Sequence, residues 1–428
     1  MKCKIHRGTN EIGGSCVELS TGKTRILIDA GLPLSGEAYS LPSDVDSVDA
    51  VLISHPHMDH YGLLEQVPRN IPIYMGGLGQ RMIHASRIFN AMPMLDNTFV
   101  TIENHRPILI GDFEVTPYLV DHSAPDSYAF LVKGKGKAVF YSGDFRAHGR
   151  KARLYDQLLK NPPSPVDVLI MEGTMINRDN HPYQDEVSVE MGMQDAMKSE
   201  NGPCFLLCSS QNIDRIVSAY KACIKVNRKF VVDIYTAWIL HEFSLFSSHV
   251  PTINWENVRV LSKGWTASRH YGIVKNTPEY FQDFVHELYK PGNAITIENL
   301  KHDPKKYLIK SSYVDKLFKE MACTHATVIY SMWKGYLQQD HNNRGFKKYQ
   351  LLQNNKGITF VTIHTSGHAQ IDDLKRLAEA LQPRLIVPIH TEHKDMYKEY
   401  FDNVHKLDDG EVLDLSEEKK NQVLKIKN

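Results

Sequence analysis

The segment SHPHMDHYG places His55, His57, Asp59 and His60 directly behind the apolar run VDAVLIS at 48–54. Four side chains able to ligate a metal therefore leave one strand end. Residues two apart in an extended chain face the same side, so His55 and His57 can close on one ion, while Asp59 and His60, at the start of the next helix, are aimed elsewhere. Imidazole and carboxylate together suit Zn²⁺, with Mn²⁺ as the alternative, and the split geometry predicts two neighbouring divalent metal ions. The competing reading is a solvated histidine-rich turn, but HxHxDH behind a buried strand is far rarer than a lone HxxH. Two sites need further ligands from other strand ends. His122 in VDHSAPDS follows the run ending at Val120, Asp144 follows KAVFYSG, and His390 closes the apolar run LIVPIH. Taken singly, His122 reads as a packed or solvent-facing histidine and Asp144 as a turn-forming Gly-Asp. Their shared placement behind strands makes ligation the better reading.

The elements that must hold these residues are legible in the chain's texture. Runs rich in Val, Ile, Tyr and Phe at 23–31, 48–54, 113–120, 128–132, 137–144 and 166–172 predict strands, and DHYGLLEQVP and LGQRMIHASRIFNAM predict helices between some of them. Strands interleaved with helices define an α/β layered architecture. From about Asn180 the pattern becomes alternating helix and strand, as in a parallel sheet: an amphipathic segment at 185–199, PCFLLCS, NIDRIVSAYKACIKV and RKFVVDIY. The texture returns to short apolar strands at GITFVTIHTS and PRLIVPIH, flanking the helix LKRLAEALQ. A second α/β domain, at 185–359, is thus inserted into a first formed by 1–184 and 360–428.

Composition excludes several classes. A chain of 428 residues, 42% hydrophobic, can bury proper cores. Fifty Lys plus Arg balance fifty Asp plus Glu, so no strong basic excess advertises nucleic-acid binding, and such a role must rest on a local groove. No apolar run reaches membrane-spanning length and the start has no signal-peptide core, which predicts a cytoplasmic protein without membrane contact. Cys3, Cys16, Cys204, Cys208, Cys223 and Cys323 form no CxxC pair, arguing against disulfides and thiolate zinc sites.

The motifs resemble those of the metallo-β-lactamase superfamily, a four-layer αβ/βα sandwich. HxHxDH at 55–60, His122 and Gly-Asp at 143–144 match its metal motifs in order, and Asp29 in LIDAG stands where that family keeps an aspartate. The likeness extends to the β-CASP branch of nucleic-acid hydrolases, and within it to bacterial ribonuclease J, through DHSAPDS, GDFR, MEGT, NIDRIVSAY, HTSGHA and PIHTE. The resemblance implies that His55, His57 and His122 hold the first metal and Asp59, His60 and His390 the second, with Asp144 bridging. Glu172, His368 and His390 match the three further motifs of the branch, Glu172 within Glu-Gly-Thr where serine usually stands in the middle. A histidine at the third motif accompanies RNA-directed members. CSSQN at 208–212, with Ser210, loosely matches a phosphate-contact segment, and the chain lacks room for the extra C-terminal domain of full-length ribonuclease J. A homodimer is compatible with this resemblance.

The implied function is hydrolysis of single-stranded RNA, as an exo- or endoribonuclease. Two metals clamp the phosphoryl oxygens and bring a bridging water to a pKa of about 7. Asp59 would orient that nucleophile, and Glu172 and Asp29 would steady metal-bound histidines. His364 and Ser366 would bind a substrate phosphate, and His368 would stabilise charge or protonate the leaving oxygen. Without the resemblance, Ser366 and Gly367 read as a turn before a helix starting near Asp372. Phe281, Phe284 and Leu288 have helix spacing and read as core; Tyr235 and Trp238 read as packing. The lysine-rich stretches 301–310 and 344–348 read as solvated faces. The alternatives are a DNA nuclease of the same branch, a lactonase- or glyoxalase-like ester hydrolase, which would not need the inserted domain or HTSGHA, and a catalytically silent RNA-binding protein.

Overall fold

The computed structural model describes residues 1–35, 39–178, 183–262, 264–338 and 346–416. Asn180 and the first two residues of the stretch 344–348 fall outside them. In chain order the strands are β1 (Lys2–Arg7), β2 (Cys16–Ser20), β3 (Arg25–Ile28), β4 (Ala50–Leu52), β5 (Ile73–Gly76), β6 (Phe99–Ile102), β7 (Ile108–Ile110), β8 (Phe113–Val120), β9 (Ser127–Gly134), β10 (Lys137–Tyr141) and β11 (Val168–Glu172). There follow β12 (Cys204–Leu207), β13 (Lys229–Val232), β14 (Val258–Leu261), β15 (Ala294–Ile295), β16 (Tyr307–Lys310), β17 (Ala326–Tyr330), β18 (Ile358–Thr362), β19 (Leu385–Ile389) and β20 (Val412–Asp414). They form three sheets, ordered β20-β1-β2-β3-β4-β5-β6, β19-β11-β10-β9-β8-β7 and β15-β14-β13-β16-β12-β17-β18.

The first two sheets pack face to face. The strand period of two sends Val17, Leu19, Ile26 and Ile28 of one sheet, and Phe130, Val132, Val139 and Ile170 of the other, into one shared core. The intervening positions face outward and are covered by helices. Leu27, Val51 and Met75 pack with Ile83 of the helix Gly77–Phe89. Leu131, Phe140 and Leu169 pack with Leu158 of Arg153–Lys160 and with Leu374 and Leu377 of Ile371–Leu381. Helix, sheet, sheet and helix make the four-layer sandwich.

The third sheet is parallel throughout, and its strands run from Cys204 to Thr362. Its core takes in Val189 and Met193 of Glu186–Lys198, Ile216 of Ile213–Lys225, and Phe281, Phe284 and Leu288 of Pro278–Leu288, which are buried as the helical spacing expects. Two details differ from the sequence reading. Residues 360–362, read as returning to the first domain, belong to β18, which pairs with β17 of the third sheet. The stretch 301–310, read as a solvated face, ends in β16, an interior strand between β13 and β12, with Lys310 buried against Asp233 at 3.1 Å. Among the described residues, no helix is long and apolar enough to cross a membrane. The six cysteines are free thiols, and burial pushes that of Cys208 up to about 11, leaving it unreactive.

Candidate metal centre

The polar residues of interest sit just beyond strand ends. Asp29 follows β3; Ser54, His55 and His57 follow β4; His122 follows β8; Asp144 follows β10; and His390 follows β19. Parallel pairing of Ile28 with Leu52 sets Asp29 beside the start of the histidine segment, and pairing of Glu172 with Ile389 sets His390 beside Glu172. Asp29 and His390 both have positive φ, 64° and 51°, a costly conformation for residues with a Cβ and one the surrounding structure must enforce.

Four of the histidines are turned by a fixed partner on one ring nitrogen. His60 Nδ1 donates to Asp29 Oδ2 at 2.8 Å, and the same carboxylate accepts from Ser54 N at 2.7 Å and from the Tyr141 hydroxyl at 2.7 Å. His122 Nδ1 donates to Gly367 O at 2.6 Å, His390 Nδ1 lies 2.8 Å from Thr174 Oγ1, and His55 Nδ1 lies 3.0 Å from Ser54 Oγ. The opposite nitrogens then converge. His55 Nε2 and His122 Nε2 each lie 3.2 Å from His57 Nδ1. That spacing is close to the edge of a tetrahedron of Zn–N bonds near 2.05 Å, about 3.3 Å. Asp144 Oδ2 lies 3.2 Å from His60 Nε2 and 3.7 Å from both His55 Nε2 and His390 Nε2, and His390 Nε2 lies 3.3 Å from Asp59 Oδ2.

The unsatisfied atoms show that these residues fit a cation. Both carboxylate oxygens of Asp144 and Nε2 of His60 are buried without a hydrogen bond, a costly state for polar groups that a positive ion between them would relieve. Protonation states agree with this. Burial and neighbouring imidazoles push His55 and His122 well below the ordinary histidine range, and burial takes His57 down to about 4, so the trio is neutral and ready to ligate. Burial opposes ionisation of Asp59 and Asp144, yet the facing histidines hold both below the usual carboxylate range. His60 is held well above its ordinary value against burial by Asp144, Asp29 and Asp59, a proton that a cation would replace.

The remaining expected residues divide. His368 joins the centre: its Nδ1 lies 3.1 Å from Glu172 Oε2 and 3.7 Å from Asp144 Oδ2. Burial opposes its charge, but Glu172 and Asp144 raise its pKa. Glu172 also accepts from the amides of Phe145 at 3.0 Å, Thr174 at 3.3 Å and Ala369 at 3.4 Å, so its carboxylate ties three loops together. The glycine at 173, where the resemblance leads one to expect serine, has a steric reason, since a Cβ there would stand 2.2 Å from the Tyr397 hydroxyl. Ser366 Oγ accepts from His368 N at 3.1 Å, which shapes the turn before the helix at Ile371. His364 Nδ1 lies 3.1 Å from Arg215 Nη1. Ser210 is held on the third sheet by Lys310 and by Thr236 Oγ1 at 2.9 Å.

A second set of residues escaped the sequence reading. Arg146 and Arg215 are buried and share Glu186, whose Oε1 lies 3.3 Å from Arg146 Nη1 and 3.1 Å from Arg215 Nη2. Arg146 also reaches Asp214 at 2.6 Å and the carbonyl of Ser366 at 3.0 Å, while Arg215 reaches the carbonyls of Ser331 at 2.9 Å and Thr365 at 3.1 Å. This buried network joins the helices beside the third sheet to the HTSGH loop. Both arginines lie in motifs that carried the resemblance, GDFR and NIDRIVSAY, but nothing in sequence spacing tells a buried arginine from a surface one.

Residues 24–199 match the beta-lactamase superfamily domain, and residues 359–406 match the Zn-dependent metallo-hydrolase RNA specificity domain. A crystal structure of a protein of unknown function from Enterococcus faecalis superposes with a TM-score of 0.73 at 19% identity, covering 96% of this chain and 99% of that one. Sandwich, strand-end histidines and matched domains define a protein of the metallo-β-lactamase fold. Within that fold, the chain is similar to ribonuclease J proteins. It is 23% identical over 420 residues to ribonuclease J of Helicobacter pylori, covering 90% of this chain and 55% of that protein. It is 25% identical over 352 residues to an RNase J-like protein of Methanocaldococcus jannaschii, covering 72% of this chain and 77% of that one. The chain thus spans about half the length of the first of these relatives.

Proposed function

We propose that the protein is a two-metal phosphodiesterase that hydrolyses single-stranded RNA. The observation that carries this reading is the convergence of six further ligating side chains around the buried carboxylate of Asp144, whose oxygens take no hydrogen bond. Direction towards RNA is supported by the match at 359–406 and by the names of the relatives. In this proposal His55, His57 and His122 would hold one cation and Asp59, His60 and His390 the other, with Asp144 available to both. Zn²⁺ suits the donors, with Mn²⁺ second. When bound, the pair supplies positive charge to the phosphoryl oxygens and lowers the pKa of a water to about 7.

The chain's own residues do the rest. Asp59, half-buried and held ionised, would orient the attacking water. Glu172 fixes Nδ1 of His368, which leaves Nε2 to deliver a proton to the departing oxygen. The loop at 364–368, held from behind by Arg146 and Arg215, presents His364 and Ser366 to a neighbouring phosphate. The core of 1–184 and 363–428 would supply the metal ligands, and the unit at 185–362, which includes β18, would close the substrate cleft.

The test is incubation of zinc-loaded protein, and of an Asp59→Ala variant, with end-labelled single-stranded RNA, matched DNA and a lactone. The reading expects RNA to be cleaved, with the rate falling at least about a hundredfold in the variant. Preferential cleavage of DNA, or lactone turnover with RNA intact, would overturn it.

A further inference from the structure

Trp333 and Tyr336 lie in and beside a one-turn helix, Lys334–Leu337, that follows β17. The two rings meet edge to face, with centroids 5.4 Å apart at 83°. The guanidinium of Arg178 lies 4.8 Å from the centre of the Trp333 ring. Arg178 also donates to Glu392 at 3.2 Å. Both anchors lead back to the metal centre. Glu392 stands two residues after His390, and Arg178 four residues after Thr174, whose hydroxyl orients the His390 ring. The chain Glu392, Arg178, Trp333, Tyr336 is therefore a wall at the rim of the candidate metal centre.

Gly335 permits this arrangement, since a Cβ there would come within 2.3 Å of the Trp333 ring. Tyr330 donates to the Trp333 carbonyl at 2.9 Å and fixes the start of the turn. Tyr336 keeps 38% of its surface exposed, and Lys334 beside it is exposed. Asp59 is within electrostatic reach of the Tyr336 phenol. An exposed aromatic ring, backed by a second ring and a cation and set beside groups suited to a phosphate, has the chemistry of a base-stacking subsite.

We propose that Tyr336, braced by Trp333 and Arg178, stacks an unpaired nucleobase of the nucleic-acid strand whose phosphate lies at the metal centre. The inference rests on the phosphodiesterase reading and adds to it a reason for preferring single strands, since only an unstacked base offers a face to the ring. Stacking on an aromatic face tolerates any base, so the subsite places the strand and leaves sequence unread.

The test separates binding from cleavage. The zinc-loaded full chain is titrated into a fluorescein-labelled ten-residue oligoadenylate with hydrolysis-resistant phosphorothioate linkages, and into a set of the same oligomers carrying one abasic residue at each position in turn. Binding is followed by anisotropy for the wild type and for Tyr336→Ala and Tyr336→Phe. Tyr336→Ala should weaken binding of the intact oligomer by about tenfold, and Tyr336→Phe by less than about twofold. For one abasic oligomer the wild type should already show that loss, and Tyr336→Ala should add nothing further. An alanine effect of equal size on every abasic oligomer, or no effect on the intact one, would overturn the stacking proposal whether or not ordinary RNA is cleaved. The expected coupling would support it even if the cleavage assay failed.

Discussion

Asp29 is the residue on which the geometry of His60 depends most directly. Its carboxylate takes four donors: the amide and hydroxyl of Ser54, the ring of His60 and the hydroxyl of Tyr141. Fixing Nδ1 of His60 as a donor leaves Nε2 aimed at Asp144 with its lone pair available to a cation. Asp29→Asn keeps the shape and removes the charge, so His60 loses both its enforced tautomer and some basicity. The expected outcome is zinc binding weakened by about 10- to 100-fold, read by competition with a chromogenic chelator, in a protein whose circular dichroism is unchanged. An affinity equal to that of the wild type would show that Asp29 merely packs.

The elements are held in register by buried charge. Glu186 opens the helix Glu186–Lys198, Arg215 sits in Ile213–Lys225, and Arg146 lies in the loop after β10, so one carboxylate joins three segments. Burial opposes the charge on Glu186, but Arg215 and Arg146 hold it well below the ordinary carboxylate range. The sign follows from linkage. A depressed pKa in the folded state means that the unfolded chain binds the proton more readily, so the stabilisation is present above about pH 4.3, the ordinary glutamate value, and is lost as pH falls below it. Melting temperature should therefore fall less steeply with acidification in Glu186→Gln than in the wild type, and parallel curves would contradict this. Breaking the network from its other side, Arg215→Lys removes the two-pronged contact with Glu186 and the donors to Ser331 and Thr365. It should cost about 3–5 kcal/mol in urea unfolding, the order expected for disrupting a buried pair.

Across the whole molecule, what the sequence disclosed and what it hid follow from the range of the interactions. The strand-end residues were legible because each follows an apolar run, and a strand needs only local alternation to be seen: His55 and His57 behind β4, His122 behind β8, Asp144 behind β10, His390 behind β19. The buried arginine network was not legible, because Arg146, Glu186 and Arg215 each look like surface charges until three distant segments meet. Lys310 concealed β16 for the same reason: a lysine closing a strand reads as solvent-facing unless its partner Asp233, on the neighbouring strand's end, is known. Trp333 and Tyr336 gave no pattern, since a one-turn helix carries no periodicity.

The central claim, that seven side chains hold a pair of divalent cations, is met most directly by counting metal in the intact protein. Plasma mass spectrometry of undenatured, dialysed material should find two zinc or manganese ions per chain in the wild type and one or none in Asp144→Ala, with chelation abolishing RNA cleavage and readdition of zinc restoring it. Protein that cleaves RNA at full rate with less than about a tenth of an equivalent of any divalent metal would contradict the account outright.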